Sequence, residues 1–152
     1  MTDDVNKHDP LTPEQRSAHM AKVRSSKNRS TEMHVAAHLI ARGFRGWKRN
    51  PQSVPGCPDF YFVHERLALF VDGCFWHGCR KCRRKTPSSR PDFWRQKIES
   101  NRQRDKKVRR VLLAQGYAVL RIWEHDLPSG IWLDKLRSAL QGFHQRRGDS
   151  FG

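Results

Sequence analysis

The sequence predicts an α/β layered domain, and three observations carry that expectation. Two short apolar runs, Phe60 to Val63 and Leu67 to Val71, are separated only by His64-Glu65-Arg66. A long basic segment from Pro91 to about Ala114 repeats its apolar positions at helical spacing. A third apolar run, Tyr117 to Trp123, follows Gly116 as a further strand.

Taken in order, residues 1–17 are polar and carry Pro10 and Pro13, which predicts a flexible arm or a short initial helix. A helix is expected from Ser30, which can cap it, with Glu32 in the first turn. Met33, Ala36, Ala37 and Ile40 make its apolar stripe and Gly43 ends it. After a loop punctuated from Pro51 to Pro58, the two apolar runs predict a hairpin with His64-Glu65-Arg66 as its tight turn. Symmetric pairing about that turn puts Asp59 opposite Val71 on one face, with Asp72 starting the exit from the sheet. Ser89 followed by Pro91 opens the second helix, whose stripe is Trp94, Ile98, Asn101, Asp105, Val108 and Leu112. Ser129 is the expected cap of a last helix carrying Ile131, Trp132, Leu136 and Leu140. The folded unit is thus expected over residues 18–144, with a disordered tail over 145–152.

A chain of 152 residues fits one domain. Its 30 Lys and Arg against 15 Asp and Glu give a formal charge of +15, which favours polyanions and makes nucleic acid the leading partner. No apolar run approaches the ~18 residues of a membrane span, and Met-Thr-Asp-Asp at the start lacks the regions of a signal peptide, so cytoplasmic placement is expected. In that compartment four cysteines point to metal rather than disulfides.

The densest stretch is Val71-Asp-Gly-Cys-Phe-Trp-His-Gly-Cys-Arg-Lys-Cys82. Cys74, Cys79 and Cys82 offer soft thiolates, and the Cys-x2-Cys spacing lets two of them reach one tetrahedral ion. His77 and His125 are the candidates for a fourth ligand. His77 is flanked by ligands on both sides, whereas His125 would tie a distant segment to the loop and is preferred. Such a closed set is structural, since catalytic zinc keeps an open position. Cys57, in Pro-Gly-Cys-Pro, reads as a small buried residue.

Asp59 heads the first strand of the hairpin and is a hard oxygen ligand suited to Mg2+, which commonly takes one or two carboxylates and completes its shell with water and phosphate. The Val71 carbonyl is a second ligand across the hairpin. Alone, Pro-Asp before a strand is a common turn. His77 can serve as a general base. Glu32 either reaches the metal shell through water or merely complements a helix N-terminus, and Asp72 binds, orients or terminates the strand. The pairs Phe75-Trp76 and Phe93-Trp94 fit either core packing or wedges that unstack a base step.

These residues together resemble the very-short-patch repair endonucleases, known as Vsr, a branch of the restriction-endonuclease-like PD-(D/E)xK fold. The likeness spans about residues 16 to 127. It runs through Arg-Ser-Ala-His-Met-Ala at 16–21, Glu32, Pro-Gly-Cys-Pro-Asp-Phe at 55–60, Val-Asp-Gly-Cys-Phe-Trp-His-Gly-Cys at 71–79, Phe93, Trp94, Lys97, Asn101-Arg102, Arg104-Asp105 and Trp123-Glu124-His125. The resemblance implies a mixed central sheet flanked by helices and a nick in one strand, 5′ to the T of a T:G mismatch left by deaminated 5-methylcytosine. It implies Asp59 and the Val71 carbonyl on catalytic Mg2+, His77 activating water, Glu32 supporting, and Cys74, Cys79, Cys82 and His125 on structural Zn2+. It further implies Phe75, Trp76 and Trp94 as the intercalating wedge and Met20, Lys97 and Asn101 against DNA. The expected partner is double-stranded DNA with a T:G mismatch, met by a monomer associated with the nucleoid. Mismatch-repair proteins remain open as further partners.

Two departures stand out. Some family members carry Thr-His where this chain has Val71-Asp72, so no second catalytic histidine is assigned there, and Asp72 is kept among the catalytic candidates as a residue able to touch the metal instead. The zinc loop has Cys79-x2-Cys82 where relatives mix His and Cys at slightly different spacing. The rivals are a non-enzymatic zinc-containing DNA-binding module and a nuclease of broader mismatch or structure preference.

Overall fold

The computed structural model describes residues 11–148, except for the side chains of Met20, residues 23–28 and residues 147–148. Its first element, α1 (Pro13–Ala41), starts well before Ser30. Thr12 Oγ1 accepts the Gln15 N–H at 3.2 Å and Gln15 Oε1 accepts the Thr12 N–H at 2.9 Å, a reciprocal cap. Pro13, which reads as a loop residue, occupies a helix-start position where its missing N–H costs nothing. Residues 13–17 are therefore helical, as the second of the two expectations for this stretch had it, though as the start of α1 and not as a separate short helix, and Glu32 lies deep in α1 rather than in a first turn. The stripe is also shifted. Val35 and Leu39 are 0 % exposed while Met33 and Ile40 are 60 % and 69 % exposed, because a short stripe half made of alanines fixes the helix's rotation weakly.

The strands are β1 (Trp47–Arg49), β2 (Phe60–Phe62), β3 (Leu67–Asp72) and β4 (Ala118–Trp123), paired in the order β1-β2-β3-β4. The sheet is mixed: β1-β2 and β2-β3 are antiparallel and β3-β4 is parallel, joined through α2 (Pro91–Ala114). The expected strand at Tyr117 to Trp123 and the helix at Pro91 to Ala114 agree with this to within a residue. Short β1 had no apolar signature. Arg90, in the left-handed region at φ 55°, precedes α2, which Pro91 opens as expected. Ser129 Oγ does accept the Ile131 N–H at 3.4 Å, at the start of α3 (Ile131–Gly148). Residues 145–148 of the expected tail are thus helical, and 149–152 fall outside the described residues.

Side-chain alternation sorts the strands into two faces. Phe60, Phe62, Leu67, Leu69 and Ile122 meet Val35 and Leu39 of α1 and Trp132, Leu133 and Leu136 of α3. Ala68 and Phe70 meet Leu112, Val108 and Val54 on the opposite side. β3 is covered on both faces, the reason its run is apolar without alternation. The stripe expected on α2 is the buried one, with Trp94, Asn101 and Leu112 least exposed. In the last helix Ile131 is instead 51 % exposed, and Leu133 joins the core.

The hairpin register differs by one residue from the symmetric pairing. Phe60 faces Leu69 and Phe62 faces Leu67, so four residues, Val63 to Arg66, make the turn. Continued outward, that register sets Asp59 beside Phe70, on the face of Asp72 and α2. A one-residue change in turn length exchanges faces throughout a strand.

Truncating Leu39 to Ala is expected to cost about 2–5 kcal/mol, whereas Ile40→Ala stays within about 0.5 kcal/mol. Denaturant unfolding checks the contrast, and equal losses would contradict the observed rotation of α1.

Candidate active site

Beyond Asp72 the chain leaves the sheet as a loop that packs on α2, and Gly78 shows how tightly. Its φ is +62°, and a Cβ there would come within 2.9 Å of Ile98 Cγ2. That left-handed turn, open to glycine, separates His77 from Cys79 and lets them face different ways. His77 turns toward α2, its Nδ1 2.5 Å from Asp105 Oδ2, while its Nε2 lies 3.9 Å from Asp72 Oδ1. Cys79 turns toward the other thiols.

Asp59 lines two cavities, a wall it shares with Val71, Gly73 and Trp76. One is lined by Thr31, Glu32, Val71, Phe75, Trp76, Arg84 and Glu124, and the other by Phe70, Asp72, Trp76, His77, Asp105 and Arg121 among others. The structure therefore brings Asp59, Asp72 and His77 to one cavity, with Glu32 on the far side of Asp59. Glu32 Oε2 is itself held by Arg49 Nη2 at 3.0 Å and Asn50 Nδ2 at 3.2 Å, from the end of β1. Asp59 Oδ2 accepts the Val71 N–H at 2.6 Å, so the contact between these two residues runs through the amide. Burial, reinforced by nearby Glu32 and Asp72, raises the Asp59 carboxyl to about 6 against the opposing pull of the Val71 N–H and Arg121. A carboxylate with so unfavourable a charge is a site that a hard cation would satisfy.

Four donors converge on the other side of the loop. Among the described residues, the ligand atoms of Cys74, Cys79, Cys82 and His125 lie within 4.8 Å of one another. His125 Nδ1 is 3.2, 3.5 and 3.4 Å from the three sulfurs in turn. The sulfur–nitrogen edge of a tetrahedron built on usual zinc distances is roughly 3.6 Å, so the set fits one four-coordinate ion with no position left open. His125 Nε2 points at Asp126 Oδ1, 3.3 Å away, the carboxylate partner that commonly orients a ligating imidazole. Burial pushes the Cys74 thiol up to about 12, and coordination removes that proton outright. Cys57 stands apart and is half-buried, its sulfur 3.2 Å from Gln52 Nε2.

The aromatic residues form one platform. Phe75, Trp76 and Trp94 have centroids 5.1 to 6.0 Å apart, and Phe93 adjoins Trp94 at 5.2 Å. Trp94 is 8 % exposed and lies beneath the others, while Phe93 is 52 % exposed. Asn101, 6 % exposed, donates from Nδ2 to the Trp76 carbonyl at 2.9 Å and so holds this loop. Lys97 lines a groove with Arg16, Ser17, Arg90, Phe93 and Trp76 between α1 and α2. The Met20 side chain lies outside the described residues.

Sequence reasoning left Asp105 and Arg121 without roles, yet both line the cavity. Asp105 was visible in the helical stripe as a charge on an apolar face. Arg121, an isolated cation inside an apolar strand, was the overlooked signal. Glu124, which accepts the Cys74 N–H at 3.3 Å, lines the Glu32 cavity.

A sequence model of the family described as DNA mismatch endonuclease Vsr matches residues 8–84. The chain is 43% identical over 120 residues to the type II nicking enzyme V.XorIIP of Xanthomonas oryzae pv. oryzae, covering 78% of this chain and 86% of that protein. It is 40% identical over 120 residues to the type II nicking enzyme V.HpaIIP of Haemophilus parainfluenzae, covering 78% and 84%. With the DNA mismatch endonuclease Vsr of Escherichia coli it shares 33% identity over 117 residues, covering 77% and 72%.

An acid whose folded pKa lies above its ordinary 3.8 holds its proton more tightly in the folded state. Its contribution favours folding fully below pH 3.8 and is lost as pH rises through about 6. In magnesium-free buffer, Asp59→Asn is therefore expected to gain stability relative to wild type between about pH 4 and pH 7. Parallel thermal-unfolding curves across that range would contradict this.

Proposed function

The chain belongs to the DNA mismatch endonuclease Vsr family, a DNA endonuclease by that membership, and from this premise we propose that it nicks one strand of a duplex 5′ to the T of a T:G mismatch. The observation that carries the proposal is the single cavity shared by Asp59, Asp72 and His77 with Trp76 at its wall. On this reading the mixed sheet is that of the PD-(D/E)xK nucleases, and the protein works as a monomer on DNA in the cytoplasm. Its activity sets aside the purely DNA-binding module.

Asp59 and the Val71 carbonyl would hold Mg2+, and Glu32 would support that shell. The bound ion supplies charge stabilisation at the phosphate and a more acidic water. His77 provides the proton acceptor. Its Nδ1 is taken by Asp105, so the imidazole presents Nε2 toward the cavity, and one carboxylate fixing the ring is the usual way an imidazole base is oriented. Cys74, Cys79, Cys82 and His125 would bind zinc that fastens the loop carrying His77 to the end of β4.

Mismatch preference is assigned to the rings. Phe75 and Trp76, braced from below by Trp94, suit insertion at a base step, and a mismatched step resists unstacking least. Lys97 and Met20 would contact DNA around the mismatch, with Asn101, buried against the Trp76 carbonyl, fixing the platform from within. The charge of +15 draws the protein to duplex DNA of any sequence, which leaves discrimination to the wedge.

On a labelled T:G duplex at stated salt, scission is expected to require Mg2+ and to vanish in Asp59→Asn. His77→Ala should lose about 10²–10⁴-fold in rate with binding nearly unchanged, and near-normal turnover would remove it as base. Trp76→Ala should lower the preference for T:G over matched duplex; equal cutting of all mismatches by wild type would support a broader nuclease instead. Metal analysis should find one zinc per chain, lost in His125→Ala together with several degrees of thermal stability. Purified protein without stoichiometric zinc would sink that assignment.

A further inference from the structure

Asp72, His77 and Asp105 bring their donor atoms within 4.8 Å of one another, a grouping that by residue type alone suits a metal ion. A cation already serves it. Arg121, from the strand paired with β3, donates Nε to Asp72 Oδ2 at 2.8 Å and Nη2 to Asp72 Oδ1 at 2.9 Å. The same Nη2 lies 2.9 Å from Asp105 Oδ1. The guanidinium stacks 4.5 Å above the Phe70 ring, and its Nη1 is buried with no hydrogen-bond partner among the described residues. The polar contacts of this side chain thus go to the two carboxylates that flank His77. Asp72 is 5 % exposed, and burying a carboxylate is costly unless it is paired and hydrogen-bonded.

The geometry has a direction. Asp105 uses Oδ1 for Arg121 and Oδ2 for His77 Nδ1, so the guanidinium fixes the rotation of the carboxylate that fixes the imidazole. Asp72 is clamped by a two-bond fork, which keeps it from turning fully to His77 Nε2, 3.9 Å away. A planar fork can do both at once and an ammonium cannot. The other charged groups around the cavity are Asp59 ahead of β2 and Arg104 on α2.

Resting on the reading of His77 as the base, we propose that Arg121 is a positioning residue for strand scission: it acts as the built-in cation of the Asp72–Asp105 pair and, through Asp105, aligns the His77 imidazole with the cavity. It takes the place of a metal at this cluster and touches neither the substrate nor the Asp59 cation. The fork from Arg121 supplies Asp72 with its cation from within the protein.

The test uses the zinc-loaded full chain, with single-turnover nicking of a T:G duplex in Mg2+, duplex affinity, and the proton resonance of His77 Nδ1–H in 15N-histidine-labelled protein. Arg121→Met should slow nicking about 10–100-fold, within the range of one general-base contribution, while affinity changes by less than about threefold and the downfield His77 proton is lost. In an Asp105→Asn background the same substitution should cost less than about twofold, since residues acting through one network are not additive. A full additive loss there, or an unchanged His77 resonance in Arg121→Met, would overturn the proposal. Should Arg121→Met fail to fold, Arg121→Lys, which keeps the charge and loses the fork, is expected to lose a smaller factor with the same non-additivity, and additivity would refute it equally. Near-normal nicking by His77→Ala would end its role as base, while the resonance in Arg121→Met still decides whether Arg121 holds that ring.

Discussion

Parallel pairing between β3 and β4 sends two distant stretches of chain out of the sheet side by side, and the chemistry is assembled from the two loops that leave there. Leu67 to Asp72 lies in register with Ala118 to Trp123. Past Asp72 come the thiols, the rings and His77, and past Trp123 come Glu124 and His125. A strand covered on both faces has no freedom to slip, because a shift of one residue would turn buried apolar side chains to the wrong layer. Core packing against α1 and α3 on one face and α2 on the other therefore sets where these loops begin. The Cys3His cluster then fastens the two loops to each other, 3.2 to 3.5 Å from imidazole to sulfur.

Charge in this region is governed by burial. Asp59, Asp72 and Asp105 are drawn toward one cavity from the start of β2, the end of β3 and the middle of α2, with the Arg121 guanidinium among them. Desolvation dominates at Asp59, whose carboxyl rises to about 6. Asp72 escapes isolation by its fork to Arg121. The same sheet face thus holds one acid left in need of a cation and one already supplied with it. That asymmetry distinguishes the two carboxylates when residue type does not.

The aromatic residues divide in a similar way. Trp94 is part of the packing of α2, while Phe75, Trp76 and Phe93 lie over it and keep exposed area. A ring supported from below by another ring is stiff, and stiffness suits a wedge that must displace stacked bases. Along α2 lie exposed cations, including Arg95, Lys97, Lys106 and Lys107, which suits attraction to a phosphate backbone without sequence readout.

How much was legible in the sequence depends on the range of the forces involved. Local signals served well where the pattern was strong: the stripe from Trp94 to Leu112, the apolar run before Trp123, and the Cys-x2-Cys spacing all depend on neighbours along the chain. They failed at Thr12, whose cap with Gln15 was hidden behind a proline, and in α1, whose alanines left the rotation to the sheet. The sequence by itself determined the α/β class, the candidate Cys3His grouping, the basic charge and the family. Only the tertiary structure decided the hairpin register, the inward turn of His77 toward Asp105, and the meeting of Arg121 with two acids 49 and 16 residues away along the chain. Those outcomes are set by burial and charge pairing between segments far apart in sequence, which no local pattern encodes.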